Sequence, residues 1–257
     1  FKQKTADEIA QCLVGSEMGI RDRSEEDAYR LGVLGAANSV CLGNLKYAGL
    51  PLPIDLEKKQ ELLQQIGTRT LWLASSTHDD EERRIAKIHK RLKKKFPDIL
   101  TIIAPRHPQR GPEIQKEIRE LELQTALRSA GEEITGQTDI YIADTIGEMG
   151  LWYDVAKVVF IGGSLIPHGG QNFIEPSRMR DAVIVGPHMH NFTDAVNRAK
   201  KADALIQVTD TQELEETIAH LLSNKDFCNA KCSLAYNWAA SENKVLENIM
   251  DKVKGFI

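Results

Sequence analysis

The sequence predicts an α/β fold built on a parallel β-sheet with helices on both faces. Short apolar runs recur along the chain, and segments of helix length separate one run from the next. Runs that are apolar throughout are typical of parallel strands, because helices bury both faces of such a sheet. The predicted strands are Thr70–Ala74, Leu100–Ala104, Ile140–Ala143, Val158–Ile161, Ala182–Val185 and Ala204–Val208.

The first fifty residues are predicted to belong to a separate domain. Apolar residues at helical spacing predict helices within residues 5–35, and Ser39–Leu42 is a predicted strand. Leu50–Pro53 alternates leucine with proline, which keeps the chain extended and favours a linker. The chain begins without an initiator methionine or a signal-peptide pattern. We therefore expect residues 1–50 to be the tail of an incomplete N-terminal Rossmann-like domain, and residues 51–257 to form the second domain.

Helices are predicted between and after the strands of the second domain. One spans residues 79–95, and another begins near Pro112, because proline suits the first turn of a helix. Residues 211–222 and about 225–254 are predicted to close the chain as helices.

The helix predicted at residues 79–95 has a basic outer face. Its segment Arg83–Lys95 holds eight Lys or Arg, while Ile85, Ile88 and Leu92 share an apolar face. We interpret the basic residues as a solvated helix face. Contact with an anionic membrane surface is the alternative interpretation.

Composition excludes several classes of protein. A length of 257 residues with 42% hydrophobic and 27% charged residues is typical of a globular chain of one large or two small domains. No apolar run approaches the ~18–20 residues of a membrane-spanning helix. The net charge of −4 gives no general attraction to nucleic acid. Four cysteines are too few for a disulfide scaffold, and Cys228 and Cys232 are predicted to be thiols rather than zinc ligands.

Polar and glycine-rich loops follow five of the predicted strands. Ligands of parallel α/β sheets bind outside the carboxyl ends of the strands, so these loops predict one site. Gly162 and Gly163, with Gly169 and Gly170, bring backbone N–H groups to that edge, where they favour phosphate binding, although a plain tight turn is an equal alternative. The chain lacks the lysine-containing phosphate loop of nucleoside triphosphatases and the three-glycine pattern of dinucleotide enzymes.

Several side chains at this edge are candidates for ligand binding. Arg106 and His107 can donate hydrogen bonds to phosphate, or they belong to a surface turn. Glu175 either accepts hydrogen bonds from ribose hydroxyls or caps its helix. His78, His168 and His188 also follow strands, but their spacing does not match a metal site, and the chain contains no D-x-D pair. We expect no metal or other cofactor.

The strand-end loops, taken in order, resemble a known family. The segments that carry the resemblance are Gly43–Lys46, Ala74–His78 with Glu81 and Glu82, Pro105–Pro108, Ala143–Glu148, Gly162–Asn172 with Glu175 and Pro176, and Gly186–His188 with Asn191 and Phe192. The chain resembles the 3-deoxy-D-manno-octulosonic acid (Kdo) transferases, which attach Kdo to lipid A precursors in Gram-negative bacteria. The resemblance runs from about residue 9 to the end. Gln171 and Phe173 depart from the Gly-Gly-His-Asn-Pro form of many members.

The resemblance implies a GT-B glycosyltransferase fold, an inverting reaction and CMP-Kdo as the donor. It also implies that residues 51–257 are the donor-binding domain and that the acceptor is a lipid A precursor such as lipid IVA. The residues carried over to CMP binding are Arg106, His107, Gly147, Glu148, Ser164, Gln171, Asn172 and Glu175. Arg106 and His107 would contact CMP, Gly147 and Glu148 would shape the nucleotide pocket, and Glu175 would hold the ribose. Ser164, Gln171 and Asn172 would line the phosphate side.

No catalytic residue is carried over, because the family's general base is a Glu in a motif of the N-terminal domain that this chain lacks. We therefore expect this chain to be inactive alone, and we expect the full-length protein to lie on the cytoplasmic face of the inner membrane. Lys46 is a candidate cleft residue. Two alternatives stay open: a nucleotide-sugar epimerase of the same architecture, which would bind a UDP-sugar, and a non-catalytic nucleotide-binding module.

Overall fold

The computed structural model describes one long segment and four short ones. They are residues 52–254, with side chains as far as residue 242, and residues 21–22, 29, 32–33 and 40–41. The chain divides into two compact units, Phe1–Leu50 with Ala240–Ile257, and Pro51–Ala239. The assignment of residues 1–50 and 51–257 to two domains stays a prediction.

The first unit contains two short strands. β1 (Arg21–Asp22) and β2 (Val40–Cys41) pair in parallel, and β2 lies within the strand predicted at Ser39–Leu42. β1 was not predicted from the sequence. Lys46 and most of the helical patterns within residues 5–35 lie outside the described residues.

The second unit is built around a seven-stranded parallel sheet. Its strands are β3 (Leu71–Thr77), β4 (Leu100–Pro105), β5 (Thr125–Leu127), β6 (Ile140–Ile142), β7 (Val158–Ile161), β8 (Ala182–Val185) and β9 (Ile206–Gln207). The order across the sheet is β5-β6-β4-β3-β7-β8-β9, and every neighbouring pair is parallel. All six strands predicted here are confirmed, and β5 is an edge strand that the sequence analysis missed.

Helices connect the strands and close the unit. They are α1 (Leu56–Ile66), α2 (Glu81–Leu92), α3 (Gly111–Arg119), α4 (Met149–Val155), α5 (Ile174–Arg178), α6 (Thr193–Lys201), α7 (Thr211–Ser223) and α8 (Lys225–Lys254). Short 3-10 turns precede α3 and α6. Pro112 lies in the first turn of α3, as its sequence position predicts.

Both faces of the sheet are buried. Alternate residues such as Trp72 and Ala74 face a core that they share with Ile85 and Ile88 of α2. The intervening residues face the other side, where the Ser75 hydroxyl lies 2.7 Å from the Tyr153 hydroxyl of α4. Every residue of β4, β6, β7 and β8 is buried, which explains the continuous apolar runs. Because all neighbouring strands pair in parallel, their carboxyl ends lie at one edge of the sheet.

The basic residues of α2 lie at the protein surface. Ile85, Ile88 and Leu92 are buried, as predicted, while Lys87 and its basic neighbours are exposed. Arg83, Arg84, Lys90 and Arg91 each form an ion pair with an acidic side chain of the same unit. Exposed pairs of this kind contribute about 0–1 kcal/mol each. The arrangement favours a solvated helix face over a surface of unpaired positive charge.

The helix α8 packs against the sheet unit through its first half. Cys228 and Cys232 are free, buried thiols that join the core. Six residues after Cys232, Trp238 stacks on Phe173, with ring centroids 5.3 Å apart and an angle of 11° between the rings. Because Phe173 immediately precedes α5, this ring stacking stabilises the residue at which that helix begins.

Candidate functional site

Five loops meet at the carboxyl edge of the sheet. They follow β3, β4, β6, β7 and β8, the strands whose loops the sequence analysis selected. Gly111, at the start of α3, lies against the Asp144 side chain after β6, so closely that a Cβ atom at Gly111 would meet the carboxylate at 2.2 Å. The loops after β4 and β6 are thus in direct contact, and they form one continuous surface.

A buried carboxylate holds the glycine loop that follows β7. Glu81 is the first residue of α2 and is fully buried. Its two oxygens accept hydrogen bonds from the backbone N–H groups of His78 (3.0 Å), Gly163 (2.6 Å), Ser164 (3.1 Å) and Leu165 (3.0 Å). Burial raises the pKa of the Glu81 carboxyl group, and the hydrogen bonds from the four N–H groups offset only part of this shift. Glu81 therefore ties the ends of β3 and β7 together.

The sequence prediction that the first glycine doublet presents free N–H groups to phosphate is wrong. The N–H of Gly163 binds Glu81, and the N–H of Gly162 donates to the Ser75 carbonyl at 2.7 Å. In the second doublet, the N–H of Gly170 donates to the Gly163 carbonyl, also at 2.7 Å. A carboxylate of the protein itself thus occupies the place in which a phosphate was expected.

Ser164 is fully buried and joins two strand ends. Its hydroxyl donates to the Ile161 carbonyl and accepts the N–H of Gly186 at 2.8 Å. The neighbouring backbone supports the same link, since the N–H of His188 donates to the Ser164 carbonyl at 3.0 Å. Ser164 therefore shapes the loops after β7 and β8, and its assignment to the phosphate side of a donor site stays a prediction.

Three histidines from three loops come together at the carboxyl edge. The rings of His78 and His168 lie 3.8 Å apart between centroids, and the ring of His107 meets His78 edge-on at 5.9 Å. Gly163 permits this approach, because a Cβ there would lie only 3.1 Å from His78, and its φ of +65° suits glycine. Burial and the neighbouring cationic groups lower the pKa of His78 to about 4, so this imidazole is neutral near pH 7.

Arg106 and His107 extend this cluster toward solvent. Both side chains are exposed, and neither makes a hydrogen bond or ion pair with another described residue. Their backbone is fixed, because the Arg106 N–H donates to the Thr77 carbonyl at 2.9 Å. Arg110 is held more tightly, by Glu82 at 3.1 Å and by Asp79 at 3.1 Å. Arg106 and His107 can therefore donate hydrogen bonds to an anion that binds beside His78 and His168.

Gln171, Asn172 and Glu175 form a chain of side-chain contacts beside the cluster. The Gln171 amide nitrogen lies 3.0 Å from Nε2 of His78, which it meets as a donor when the imidazole proton is on Nδ1. Asn172 accepts the N–H of Ile174 at 3.0 Å and donates to Glu175 at 2.9 Å. Asn172 thus binds the first N–H group of α5, and its amide orients the Glu175 carboxylate. Burial raises the pKa of Glu175.

Glu148 belongs to a charged network that fixes the loop after β6. It accepts two hydrogen bonds from Arg128, at 3.0 and 3.1 Å, and one from Lys58 at 2.8 Å. The Thr145 hydroxyl donates to the same carboxylate. Arg128 and its partners lower the pKa of Glu148 to about 2. Gly147 lies exposed in this loop with φ of +84°, and the assignment of Gly147 and Glu148 to the nucleotide pocket stays a prediction.

An open cavity of about 340 Å³ lies beside the loop that follows β8. Its lining residues are Pro187, His188, Met189, His190, Thr193, Val196, Asn197 and Gln207. The cavity adjoins β8, β9 and α6, whereas His78 and Arg106 follow β3 and β4. His188 lines this cavity, whereas His78, His107 and His168 are not among its lining residues.

Three residues that shape the site were noted in the sequence without their roles. Glu81 is part of the family resemblance, but its position in the chain does not show that it holds a loop eighty residues away. His78 and His168 were considered as metal ligands, and the structure instead places them side by side next to Arg106. Within the described residues, no group of three His, Cys, Asp or Glu side chains is arranged to hold a metal ion. None of the described helices is long and apolar enough to cross a membrane.

Known proteins resemble the chain in both sequence and structure. The 3-deoxy-D-manno-octulosonic acid transferase of Rickettsia felis is 32% identical over 237 residues, which are 91% of this chain and 51% of that protein. The C-terminal CMP-Kdo-binding domain of WaaA from Acinetobacter baumannii is 30% identical, with a TM-score of 0.68, and the match covers 71% of this chain and 96% of that domain. A glycosyltransferase from Rickettsia africae shares the fold at 16% identity, with a TM-score of 0.59, over 89% of this chain and 61% of that one. No family model matches the chain.

The parallel sheet and these structural neighbours define an α/β domain of the GT-B glycosyltransferase class. The identity to the WaaA domain over almost its whole length decides the family. The chain belongs to the 3-deoxy-D-manno-octulosonic acid transferases, as the sequence resemblance indicated. It spans about half the length of the curated relatives it matches.

Proposed function

We propose that this chain binds CMP-Kdo and forms the donor-binding part of an inverting glycosyltransferase that transfers Kdo to a lipid A precursor in lipopolysaccharide biosynthesis. The observation that carries the proposal is the similarity to a solved domain that binds this donor, at 30% identity over 96% of its length. The strand-end cluster supports it, because cationic and neutral hydrogen-bond donors suit a nucleotide phosphate.

The phosphate of CMP would lie in front of Arg106 and His107. Arg106 offers a charged guanidinium, and His107 and His168 offer exposed imidazoles within one small surface. When the bond between phosphate and sugar breaks, negative charge grows on the departing phosphate. Donors that are already in place stabilise that charge without having to reorganise. In this proposal the cationic side chains take the place of a divalent metal.

The ribose would be held by Glu175. The carboxylate is oriented by Asn172 through one oxygen, and no described backbone N–H of the first turn of α5 binds it. A carboxylate presented in this way offers acceptors to the two vicinal hydroxyls of a ribose. The alternative role of Glu175, in which its charge stabilises the first turn of α5, stays open.

The general base is proposed to lie outside the described residues. The carboxylates beside the histidine cluster already have partners: Glu81 binds four backbone N–H groups, Glu82 binds Arg110, and Glu148 binds Arg128. A base must be able to take a proton from the acceptor hydroxyl, so a free carboxylate close to the acceptor is required. The acceptor site, the contact with the cytoplasmic face of the inner membrane and catalytic activity are accordingly proposed for the longer protein.

Titration of the chain with CMP tests the donor proposal. We expect saturable binding that EDTA changes by less than about threefold, measured by calorimetry. Arg106→Ala should weaken binding about tenfold or more, because one charge-assisted hydrogen bond contributes about 1.5–3 kcal/mol. Lys87→Ala is the matched control, since it removes an exposed charge from the outer face of α2. No CMP binding, or equal losses in both variants, would refute the proposal.

Glu175→Gln tests the ribose contact. The substitution keeps the size of the side chain but removes its charge, so we expect CMP affinity to fall about ten- to a hundredfold. The unmodified chain should bind 2′-deoxy-CMP more weakly than CMP, and the variant should lose most of this difference. Glu61→Gln, an exposed change on α1, should affect neither nucleotide. Equal affinity of the unmodified chain for CMP and 2′-deoxy-CMP would remove Glu175 from the site.

A nucleotide-sugar epimerase is the second candidate from the sequence. It would use a UDP-sugar, so the same titration with UMP and UDP separates the two proposals. We expect CMP to bind more tightly than either uridine nucleotide. A non-catalytic nucleotide-binding module would bind CMP equally well and would differ only in the rest of the protein.

A further inference from the structure

The cavity beside the loop after β8 is not used by the proposed donor site. It lies at the ends of β8 and β9 and at the start of α6, and it opens to solvent. Its volume of about 340 Å³ is at the lower end of the range of about 300–1,000 Å³ that is typical of small-molecule sites. The cavity therefore suits one small ring rather than a whole nucleotide sugar.

One side of the cavity is an apolar wall formed by Pro187, Met189 and Val196. Met189 is buried and packs so closely against Gly170 that a Cβ atom there would lie 2.1 Å from the methionine sulfur. Val196 is buried on the inner face of α6, and the ring of Pro187 fixes its own backbone. Because the wall is already held in place, a ligand can pack against it with little loss of conformational freedom.

The other side of the cavity has a polar rim formed by His188, His190 and Asn197. None of these three side chains makes a hydrogen bond or ion pair with another described residue. The nearby Thr193 hydroxyl donates to the His190 carbonyl at 3.1 Å, which leaves its own lone pairs able to accept. The rim thus offers several unused hydrogen-bonding groups around one small space.

The chemistry of the lining favours hydroxyl groups over an anion. Among the described residues that line the cavity, none is Lys, Arg, Asp or Glu. An amide and a neutral imidazole each donate and accept hydrogen bonds, and a hydroxyl group of a ligand does the same. Phosphate and carboxylate groups are instead recognised most strongly by charged donors such as Arg106. A ring with several hydroxyl groups and an apolar C–H face matches both sides of the cavity.

We propose that this cavity binds one monosaccharide ring, whose hydroxyl groups contact the polar rim and whose C–H face packs on the apolar wall. The proposal goes beyond CMP binding and does not depend on it, because none of the side chains proposed to hold CMP lines the cavity. The cavity nevertheless adjoins the loop that carries His168, since a Cβ atom at Gly169 would lie 2.7 Å from Nε2 of His190.

Two sources present such a ring to a glycosyltransferase, namely the sugar of the donor and a sugar of the acceptor. Free Kdo, which carries a carboxylate, and methyl α-D-glucoside, which is neutral, are the probes for them. We expect both to bind in the millimolar range and to shift the NMR signals of His188 and Asn197. The glucoside should bind more tightly, because the lining offers the carboxylate of Kdo no cationic side chain.

Substitutions at Asn197 test the location of the site. Asn197→Ala should weaken sugar binding about two- to tenfold, because one neutral hydrogen bond is lost. Asn197→Trp places a large ring over the cavity and should abolish saturable sugar binding. Asn229→Ala, an exposed change of the same kind on α8, is the matched control and should leave sugar binding unchanged. CMP affinity and the thermal unfolding temperature should be the same in all three variants as in the unmodified chain.

Each outcome supports or overturns the proposal. Tighter binding of the glucoside supports a site for a sugar of the acceptor, and tighter binding of Kdo supports a site for the sugar of the donor. The proposal is wrong if the unmodified chain binds neither sugar, if Asn197→Trp binds them normally, or if CMP displaces them. Displacement by inorganic phosphate would identify an anion site and would also overturn it. If CMP does not bind but the sugars do, the proposed function fails and this inference stands.

Discussion

Glu81→Gln should destabilise the sheet unit by roughly 3 kcal/mol or more. The Glu81 carboxylate accepts four backbone N–H groups, two on each oxygen, in a position without solvent access. An amide has one oxygen, so its NH₂ group would face two of those N–H groups. A buried donor left without an acceptor costs about 1–3 kcal/mol. Urea unfolding of the variant and the unmodified chain, compared at pH 7, measures the loss.

The matched control for this prediction is Glu113→Gln. Glu113 also lies in the first turn of a helix, but its side chain is 62% exposed and pairs only with Arg110 at 3.5 Å. The control should change the free energy of unfolding by less than about 1 kcal/mol. If Glu81→Gln is equally mild, Glu81 does not hold the glycine loop. The loss should also weaken CMP binding, because Gly163 supports the His78–His168 pair.

The fold was largely predictable because its signal is local. Val158–Ile161 and Ala182–Val185 are buried on both faces, and a continuous apolar run records that directly. β5 was missed because Thr125–Leu127 is a three-residue edge strand, too short to show a pattern. The sequence analysis gave the number and order of the major strands along the chain, whereas their order across the sheet depends on packing between distant segments.

The site was predictable in its place but not in its contacts. Arg106, His107 and Glu175 could be selected because they follow strands in an α/β sheet. The pairing of His78 with His168, and of Glu81 with Gly163, joins residues more than eighty positions apart. The spacing of residues along the sequence does not predict contacts over such separations. The prediction about the glycine N–H groups failed for this reason. Glycine beside a strand end indicates that an anion binds there, but it does not show that the anion is the Glu81 carboxylate.

Glu82, the residue next to Glu81, should make the stability of the fold depend on pH. Glu82 is also buried, but it accepts only from the Thr77 hydroxyl (3.0 Å) and Arg110 (3.1 Å), and its second oxygen has no hydrogen-bond partner. Burial raises the pKa of Glu82 from 4.5 to about 7. The folded chain therefore binds a proton that the unfolded chain releases between these values. Stability from this group is fully present at low pH and is lost as the pH rises from 4.5 through 7.

Glu82→Gln should remove this pH dependence, because an amide does not titrate there. We expect the free energy of unfolding of the unmodified chain, relative to the variant, to fall by about 2–3 kcal/mol between pH 5 and pH 8. Comparing the two chains at each pH cancels His78, whose lowered pKa of about 4 acts in the opposite direction below pH 6.5. Urea unfolding at pH 5, 6, 7 and 8 provides the measurement. A constant difference between the chains across this range would show that Glu82 stays ionised in the fold, with Arg110 compensating for its burial.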